Sequence, residues 1–370
     1  MASAFEASNL RPMMQTLNTC TYCGFCKSVC PSFESIGWEG SVARGRMILA
    51  YGLLRGDVAP EESVARYIYQ CTTCKDCERR CPSGIEVVDV VERCRRDLVS
   101  AGVALPQHRR LAESIATNGN PYGEAISVAR SLGLKKGRAK VGYFAGCTAG
   151  YRDRAIANST MRLLEAVGAD HTIVDEVCCG SVLQRIGRPE EEVEGLMLRN
   201  VRAIEAQGVE EIVLSCAGCY RMFKEEYPKH VEVGFEVRHV SQFLAESALE
   251  FRPLSKKVTY HDPCHLGRHA GVYDEPRKLL SMIPEIEFRE MPRRKETASC
   301  CGGGGGVRSA FPDLSRKIAS RRVAEASFAD VLVTSCPFCV SNLQAGREEF
   351  GSKVEIVDLS ELLARLVVAR

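Results

Sequence analysis

Hydrophobic positions follow two rhythms along this chain. Over residues 1–105 apolar residues recur at helical spacing between cysteine-rich loops, and the pattern predicts helices at 41–55, 61–70 and 85–100. Residues 106–137 carry Gly, Pro and Asn, including Asn118-Gly-Asn-Pro121, and read as a partly helical linker running over the surface. From Lys140 the rhythm changes. Short apolar runs at 141–145, 172–174 and 211–215 alternate with helical patterns at 152–167 and 189–207. The alternation recurs with runs at 257–261, 331–335 and 354–359 and helices near 313–327 and 360–369. Short strands between longer helices predict parallel α/β layers. The expected fold is α+β overall: a helical N-terminal domain at 1–105, a linker at 106–139, and two related α/β domains with parallel sheets at 140–254 and 255–370.

Cysteine changes the picture. The chain holds 19 cysteines in 370 residues, an odd number in a chain far too long for a small disulfide scaffold, so they read as metal ligands. Cys20, Cys23, Cys26 and Cys30 spell C-x2-C-x2-C-x3-C before Pro31, and Cys71, Cys74, Cys77 and Cys81 repeat it before Pro82. A different repeat fills the remainder. Cys147, Cys178-Cys179-Gly180 and Cys216-Ala-Gly-Cys219 form one copy; Cys264, Cys300-Cys301-Gly302 and Cys336-Pro-Phe-Cys339 form the other. Only Cys94 is left over, and it reads as a small buried hydrophobe. Each leading cysteine and each CxxC follows the end of an expected strand, where open α/β sheets place their sites.

The first repeat matches the bacterial ferredoxin run for cubane 4Fe–4S clusters, in which the fourth cysteine serves the other cluster. That rule assigns Cys20, Cys23, Cys26 and Cys81 to one cubane and Cys71, Cys74, Cys77 and Cys30 to the other. Paired four-cysteine zinc sites are the bland alternative, and zinc ribbons seldom pack four cysteines so closely. The second repeat is less readable. Five cysteines per copy are one too many for tetrahedral zinc or a simple cubane. The vicinal pairs also allow strained redox disulfides. Gly180, Gly302 and Gly303 permit close backbone approach to a bound group. A phosphate-binding reading of Gly302–Gly306 is weak, because no Gly-Lys-Ser/Thr follows. Spacing alone therefore supports a metal site of unusual nuclearity without identifying it.

Phe144-Ala-Gly-Cys147, Val177-Cys-Cys-Gly180 and Ser215-Cys-Ala-Gly-Cys-Tyr220 resemble one cysteine-rich CCG domain. His261-Asp-Pro-Cys-His-Leu-Gly-Arg268, Ser299-Cys-Cys-Gly302 and Ser335-Cys-Pro-Phe-Cys339 resemble a second. A two-cluster ferredoxin domain followed by two CCG domains resembles the family of the catalytic D subunit of heterodisulfide reductase over nearly the whole chain. Iron–sulfur subunits of glycolate oxidase, lactate oxidation systems and anaerobic glycerol-3-phosphate dehydrogenase share this architecture. The resemblance implies a noncubane 4Fe–4S cluster on Cys147, Cys178, Cys179, Cys216 and Cys219. It implies another on Cys264, Cys300, Cys301, Cys336 and Cys339, with a disulfide such as coenzyme M–coenzyme B held between them. These ten cysteines are then the expected catalytic residues, and their completeness favours disulfide reduction. The alternative is an electron relay from a flavin-dependent hydroxy-acid or glycerol-3-phosphate dehydrogenase towards quinone or another carrier.

No G-x-G-x-x-G follows a strand, so neither flavin nor nicotinamide is expected here, and electrons must come from another protein. The resemblance implies a hetero-oligomeric complex with a flavoprotein, a hydrogenase- or formate-dehydrogenase-linked subunit, or a cytochrome b as donor. The 49 basic and 47 acidic residues exclude a generic nucleic-acid footprint. No apolar run approaches the ~20 residues of a membrane span and no signal-peptide pattern opens the chain. The expected location is cytoplasmic, with any attachment to the inner membrane face made through a partner. Two basic clusters stand out. Residues 291–322 hold Arg293, Arg294, Lys295, Arg308, Arg316, Lys317, Arg321 and Arg322 against Glu296 and Asp313, which would suit either an anionic substrate or a solvated face. Arg79, Arg80, Arg93, Arg95 and Arg96 would suit an acidic redox partner. His261, His265 and His269 are candidate proton donors beside Cys264, and equally ordinary loop residues; Arg268 and Lys278 are as ambiguous.

Overall fold

The computed structural model describes residues 5–368. The N-terminal part is helical, with Ala43–Arg55, Glu62–Tyr69 and Val87–Ser100 packed around their own core of Leu10, Leu17, Met47, Ile68, Val90 and Leu98. Cys94 sits in that core without solvent contact, and burial pushes its thiol up, as expected of an inert packing residue.

Two four-stranded parallel sheets follow, with the same topology. Strands β1 (Val141–Phe144), β2 (His171–Ile173), β3 (Glu211–Leu214) and β4 (Glu236–His239) are ordered β2-β1-β3-β4. Strands β5 (Lys257–His261), β6 (Glu287–Phe288), β7 (Val331–Thr334) and β8 (Glu355–Asp358) are ordered β6-β5-β7-β8. The central strands are apolar because both faces are covered by helices. The registers correspond as well. Phe144 pairs with Leu214 and His261 with Thr334, each partner two residues before its CxxC. One continuous hydrophobic core runs through both sheets, and Phe251 forms an isolated bridge with Val367 beside the C-terminal helix Leu359–Leu366. The helix expected at 360–369 ends there; residue 369 lies outside the described residues.

The segment after the N-terminal domain is partly helical and lies at the surface, and one face of its helix is buried. Helix Pro106–Asn118 buries His108, Ala112 and Ile115. His108 Nε2 meets the Gly306 carbonyl at 3.0 Å, tying this helix to the second sheet domain. Its apolar residues recur at i, i+3 and i+4 spacing, and that face finds a partner. Among the described residues no helix is long and apolar enough to cross a membrane.

Candidate functional site

The two N-terminal cysteine loops share one backbone. Tyr22 and Gly24 in the first, and Thr73 and Lys75 in the second, have φ of 53°, 87°, 54° and 62°. They stand two and four residues after each leading cysteine, in matching positions. A β-branched threonine at positive φ is costly and persists only where its surroundings over-determine it. The curl turns the Thr73 N–H onto Cys71 Sγ at 3.4 Å. Pro31 then opens helix Pro31–Ile36 directly after Cys30. The short helices Phe25–Val29 and Asp76–Arg80 pack together, so the two runs cross. One small cavity is lined by Cys20, Cys23, Cys26, Cys77 and Cys81, and a second by Cys30, Cys71, Cys74 and Cys77. Burial pushes the Cys77 thiol well up, and would-be thiolates at Cys74, Cys71 and Cys30 add repulsion. Cys23 alone of the eight is exposed.

In the sheet domains Cys147 and Cys264 lie three residues past β1 and β5, and Cys216 and Cys336 two past β3 and β7. A pair of matched cross-links holds these ends together. Tyr143 and Ser215 share a hydroxyl hydrogen bond of 2.8 Å, and Tyr260 donates to Ser335 Oγ at 3.0 Å. Thiol contacts then run Cys147–Cys178–Cys179–Cys219–Cys216 in one domain. They run Cys264–Cys300–Cys301–Cys339–Cys336 in the other, with Cys339 and Cys301 sulfurs 3.4 Å apart. The two chains of sulfur meet at Cys216 and Cys336. Cys300 also contacts Cys74 of the N-terminal motif.

Nine of these ten cysteines, all but Cys300, line a single cavity of about 490 Å³ between the two sheet domains. Gly303 to Gly306, His265, Arg152, Arg185 and Arg308 complete its wall. Gly180 and Gly302 have φ of 90° and 87°, and a Cβ on Gly302 would fall 2.8 Å from Ile318. Their bare backbones let helices Glu190–Ala206 and Pro312–Ala324 close behind the vicinal cysteines, whereas Gly303 faces the cavity itself.

The donor set can be tested for a metal centre. Hydrogen bonding to a neighbouring cysteine, then burial, holds Cys147, Cys219 and Cys339 well above the ordinary thiol range. Their acceptors Cys178, Cys216 and Cys301 are held well below it. Without a cation the thiols share protons, because adjacent buried thiolates cannot all ionise together. A multiply charged centre removes that conflict. Five soft sulfurs per side exceed tetrahedral zinc and fit a polynuclear iron centre.

The basic clusters do not converge as the sequence allowed. Of the eight basic residues in 291–322 only Arg308 lines the cavity. Arg293 pairs with Glu325 and Glu34, Lys295 with Asp274, and Arg316 with Asp313 and Glu349. Arg322 is fully buried on Glu325 and His261. The cavity takes Arg152 and Arg185 instead, and Arg185 is anchored by a buried ion pair to Glu92. Arg95, expected to face a partner, is also fully buried, bonded to the carbonyls of Ile68, Cys71, Arg185 and Gly305. Arg268 donates to the Cys74 carbonyl at 2.7 Å and to that of Ala298, fastening the N-terminal loop to the second sheet domain. Lys278 is exposed away from the cavity. His269 accepts from Arg221 Nε at 2.9 Å and meets the Thr73 carbonyl at 2.9 Å, so both nitrogens are engaged. Burial and the nearby Arg185 and Arg221 hold His265, stacked on His269 at 4.4 Å, in its neutral form. His265 Nδ1 lies 3.4 Å from the Cys264 sulfur.

Residues 16–85 match the family described as a 4Fe-4S dicluster domain, and 141–224 and 258–344 each match the cysteine-rich domain family CCG. Fold and matches together define an iron–sulfur oxidoreductase subunit. The chain is 37% identical to the D subunit of the dihydromethanophenazine:CoB–CoM heterodisulfide reductase of Methanosarcina acetivorans, over 98% of this chain and 97% of that protein. Identity to its counterpart in Methanosarcina barkeri is 36% over the same shares. The B subunit of the fumarate reductase (CoM/CoB) of Methanothermobacter marburgensis is 34% identical, over 94% of this chain and 72% of that one. The chain belongs to the D-subunit family of heterodisulfide reductases.

Proposed function

We propose that this chain is the disulfide-reducing subunit of a hetero-oligomeric complex, acting on a heterodisulfide of the coenzyme M–coenzyme B type. The observation that carries this reading is the single cavity walled by nine CCG cysteines, five from one domain and four from the other. The reaction consumes two electrons and two protons and releases two thiols. When bound, a cubane cluster at each ferredoxin site and a noncubane cluster at each CCG site would supply single electrons and an open face for sulfur.

The chain's own residues do the rest. Exposed Cys23, with Tyr22 and Phe25 beside it, presents the entry side to a redox partner. Cys20, Cys23, Cys26 and Cys81 hold the outer centre, and Cys71, Cys74, Cys77 and Cys30 the inner one. The Cys74–Cys300 contact shortens the path to the cavity. Arg152, Arg185 and Arg308 orient the anionic ends of the substrate, since guanidinium groups match sulfonate, phosphate and carboxylate geometry. The relatives' names support both the substrate class and assembly with other subunits.

The test is anaerobic. Iron-loaded protein, chemically reduced, is mixed with coenzyme M–coenzyme B heterodisulfide and thiol release is followed. Cys301→Ala should abolish release while preserving the N-terminal cluster signals. If loaded wild type cleaves no disulfide, yet passes electrons from a hydroxy-acid dehydrogenase to a quinone analogue, the relay function replaces this one.

A further inference from the structure

The two cysteine-rich sites are built to one plan and depart from it at the end of the strand that carries the leading cysteine. Phe144 and His261 occupy equivalent positions, three residues before Cys147 and Cys264, at the matched register points of β1 and β5. Both are without solvent exposure. The Phe144 ring packs edge-on against Phe223, with centroids 4.9 Å apart, and has no proton to offer sulfur.

An imidazole in the same place must be hydrogen-bonded to be tolerated. Arg322 Nε donates to His261 Nδ1 at 2.9 Å, which fixes the neutral tautomer with its proton on Nε2. Arg322 is itself locked by Glu325 at 2.6 Å and the Arg293 carbonyl at 2.9 Å. Nε2 is buried and has no hydrogen-bond partner of its own. What it faces is sulfur: His261 and the Cys301 and Cys339 thiols bring their ligand atoms within 4.8 Å of one another.

We infer that His261 is a positioning residue whose Nε2–H donates to the Cys301 sulfur, making the second cysteine-rich site more easily reduced than the first. The inference rests on the reading that both CCG sites hold iron–sulfur clusters; it does not depend on which substrate the cavity takes. A hydrogen bond to a ligand sulfur strengthens as negative charge accumulates on the centre, so it favours the reduced state. The site that gains this bond is also the one whose Cys300 touches Cys74. Electrons arriving from the N-terminal motif therefore reach the more receptive of the two sites first.

The test reads potentials, not turnover. Iron-loaded full-length protein is titrated potentiometrically with detection by electron paramagnetic resonance, and the second-site component is the one Cys264→Ser removes. His261→Phe, which installs the residue of the first site, should lower the reduced-to-oxidised ratio of that component about tenfold at fixed potential, roughly 59 mV for one electron. The first-site component should not move, and His261→Gln, which keeps an N–H donor, should recover most of the shift. In protein carrying 15N-histidine, pulsed resonance should detect on the second component a nitrogen coupling that His261→Gln removes, leaving any coupling from His265, whose Nδ1 lies 3.4 Å from the Cys264 sulfur. An unmoved potential in fully loaded His261→Phe, or no coupling in the labelled wild type that His261→Gln removes, overturns the inference. Should His261→Phe lose its iron, the labelled wild type and His261→Gln decide. Iron analysis of the wild type separately exposes a failure of the cluster reading itself.

Discussion

Replacing Arg95 by methionine removes a guanidinium that no solvent reaches and that joins all three parts of the molecule. Its NH1 group donates to the carbonyls of Arg185 (2.5 Å) and Gly305 (2.9 Å), and NH2 to those of Ile68 (3.1 Å) and Cys71 (2.8 Å). The group also lies over the Tyr69 ring, 4.9 Å from its centroid. Each bond to a charged donor contributes about 1.5–3 kcal/mol, and much of the sum is offset by desolvating the cation. Methionine fills the stem but leaves four buried acceptors without their donor, so the net loss is about 3–5 kcal/mol. That corresponds to roughly two to three and a half powers of ten in the opening equilibrium of the interface. Anaerobic hydrogen exchange followed by mass spectrometry should show faster exchange by that factor in peptides spanning 68–74 and 303–307. Affinity for the electron-donating partner should be unchanged. Unaltered exchange combined with weakened partner binding would refute the argument and restore Arg95 to the surface role its charge predicts.

Cys30→Ala should eliminate the resonance signal of the centre on Cys71, Cys74 and Cys77 and spare the other N-terminal signal; loss of the Cys20, Cys23 and Cys26 centre instead would break the crossed assignment. Arg308→Gln should raise KM for an anionic disulfide about tenfold, a charge-assisted bond's worth, with iron content intact and little effect on an uncharged disulfide. Burial, with Arg95 adding repulsion, holds His108 down to about 4. The unfolded ring takes a proton below about 6.5 and the folded ring only near 4, so stability should fall by up to about 3 kcal/mol as pH drops through that window. His108→Gln should flatten this slope in guanidinium unfolding measured at several pH values.

What the sequence makes legible is what must recur at fixed spacing. Ligand loops demand cysteines at set intervals, so both repeats and their positions past strand ends are readable, and buried central strands announce themselves as apolar runs. Two of the four edge strands do not. Glu236–His239 alternates polar residues and Glu287–Phe288 is two residues long, so neither rises above its neighbours. Helix Pro337–Phe350 hides behind the CxxC that opens it. Charge is the least legible property, because counting it along a window ignores where side chains turn. Arg308 reaches the cavity while its neighbours in sequence bind carboxylates, and Arg152 and Arg185 arrive from a domain whose charge attracts no notice. The repeated cysteines did hold a clue to His261: aligning the two copies sets it opposite Phe144, a mismatch written in the residues themselves.

A chamber formed by two copies of one plan presents nearly interchangeable walls, yet a heterodisulfide has unlike ends. Duplicated architecture by itself would admit such a molecule either way round, and half of all encounters would seat it backwards. Polarity can come only from the places where the copies disagree. Arg152 and Arg185 stand on one wall and Arg308 on the other, and on the proposed function this uneven allotment of cations is what would tell the two thiols apart. The duplication supplies the vise, and its imperfections supply the handedness.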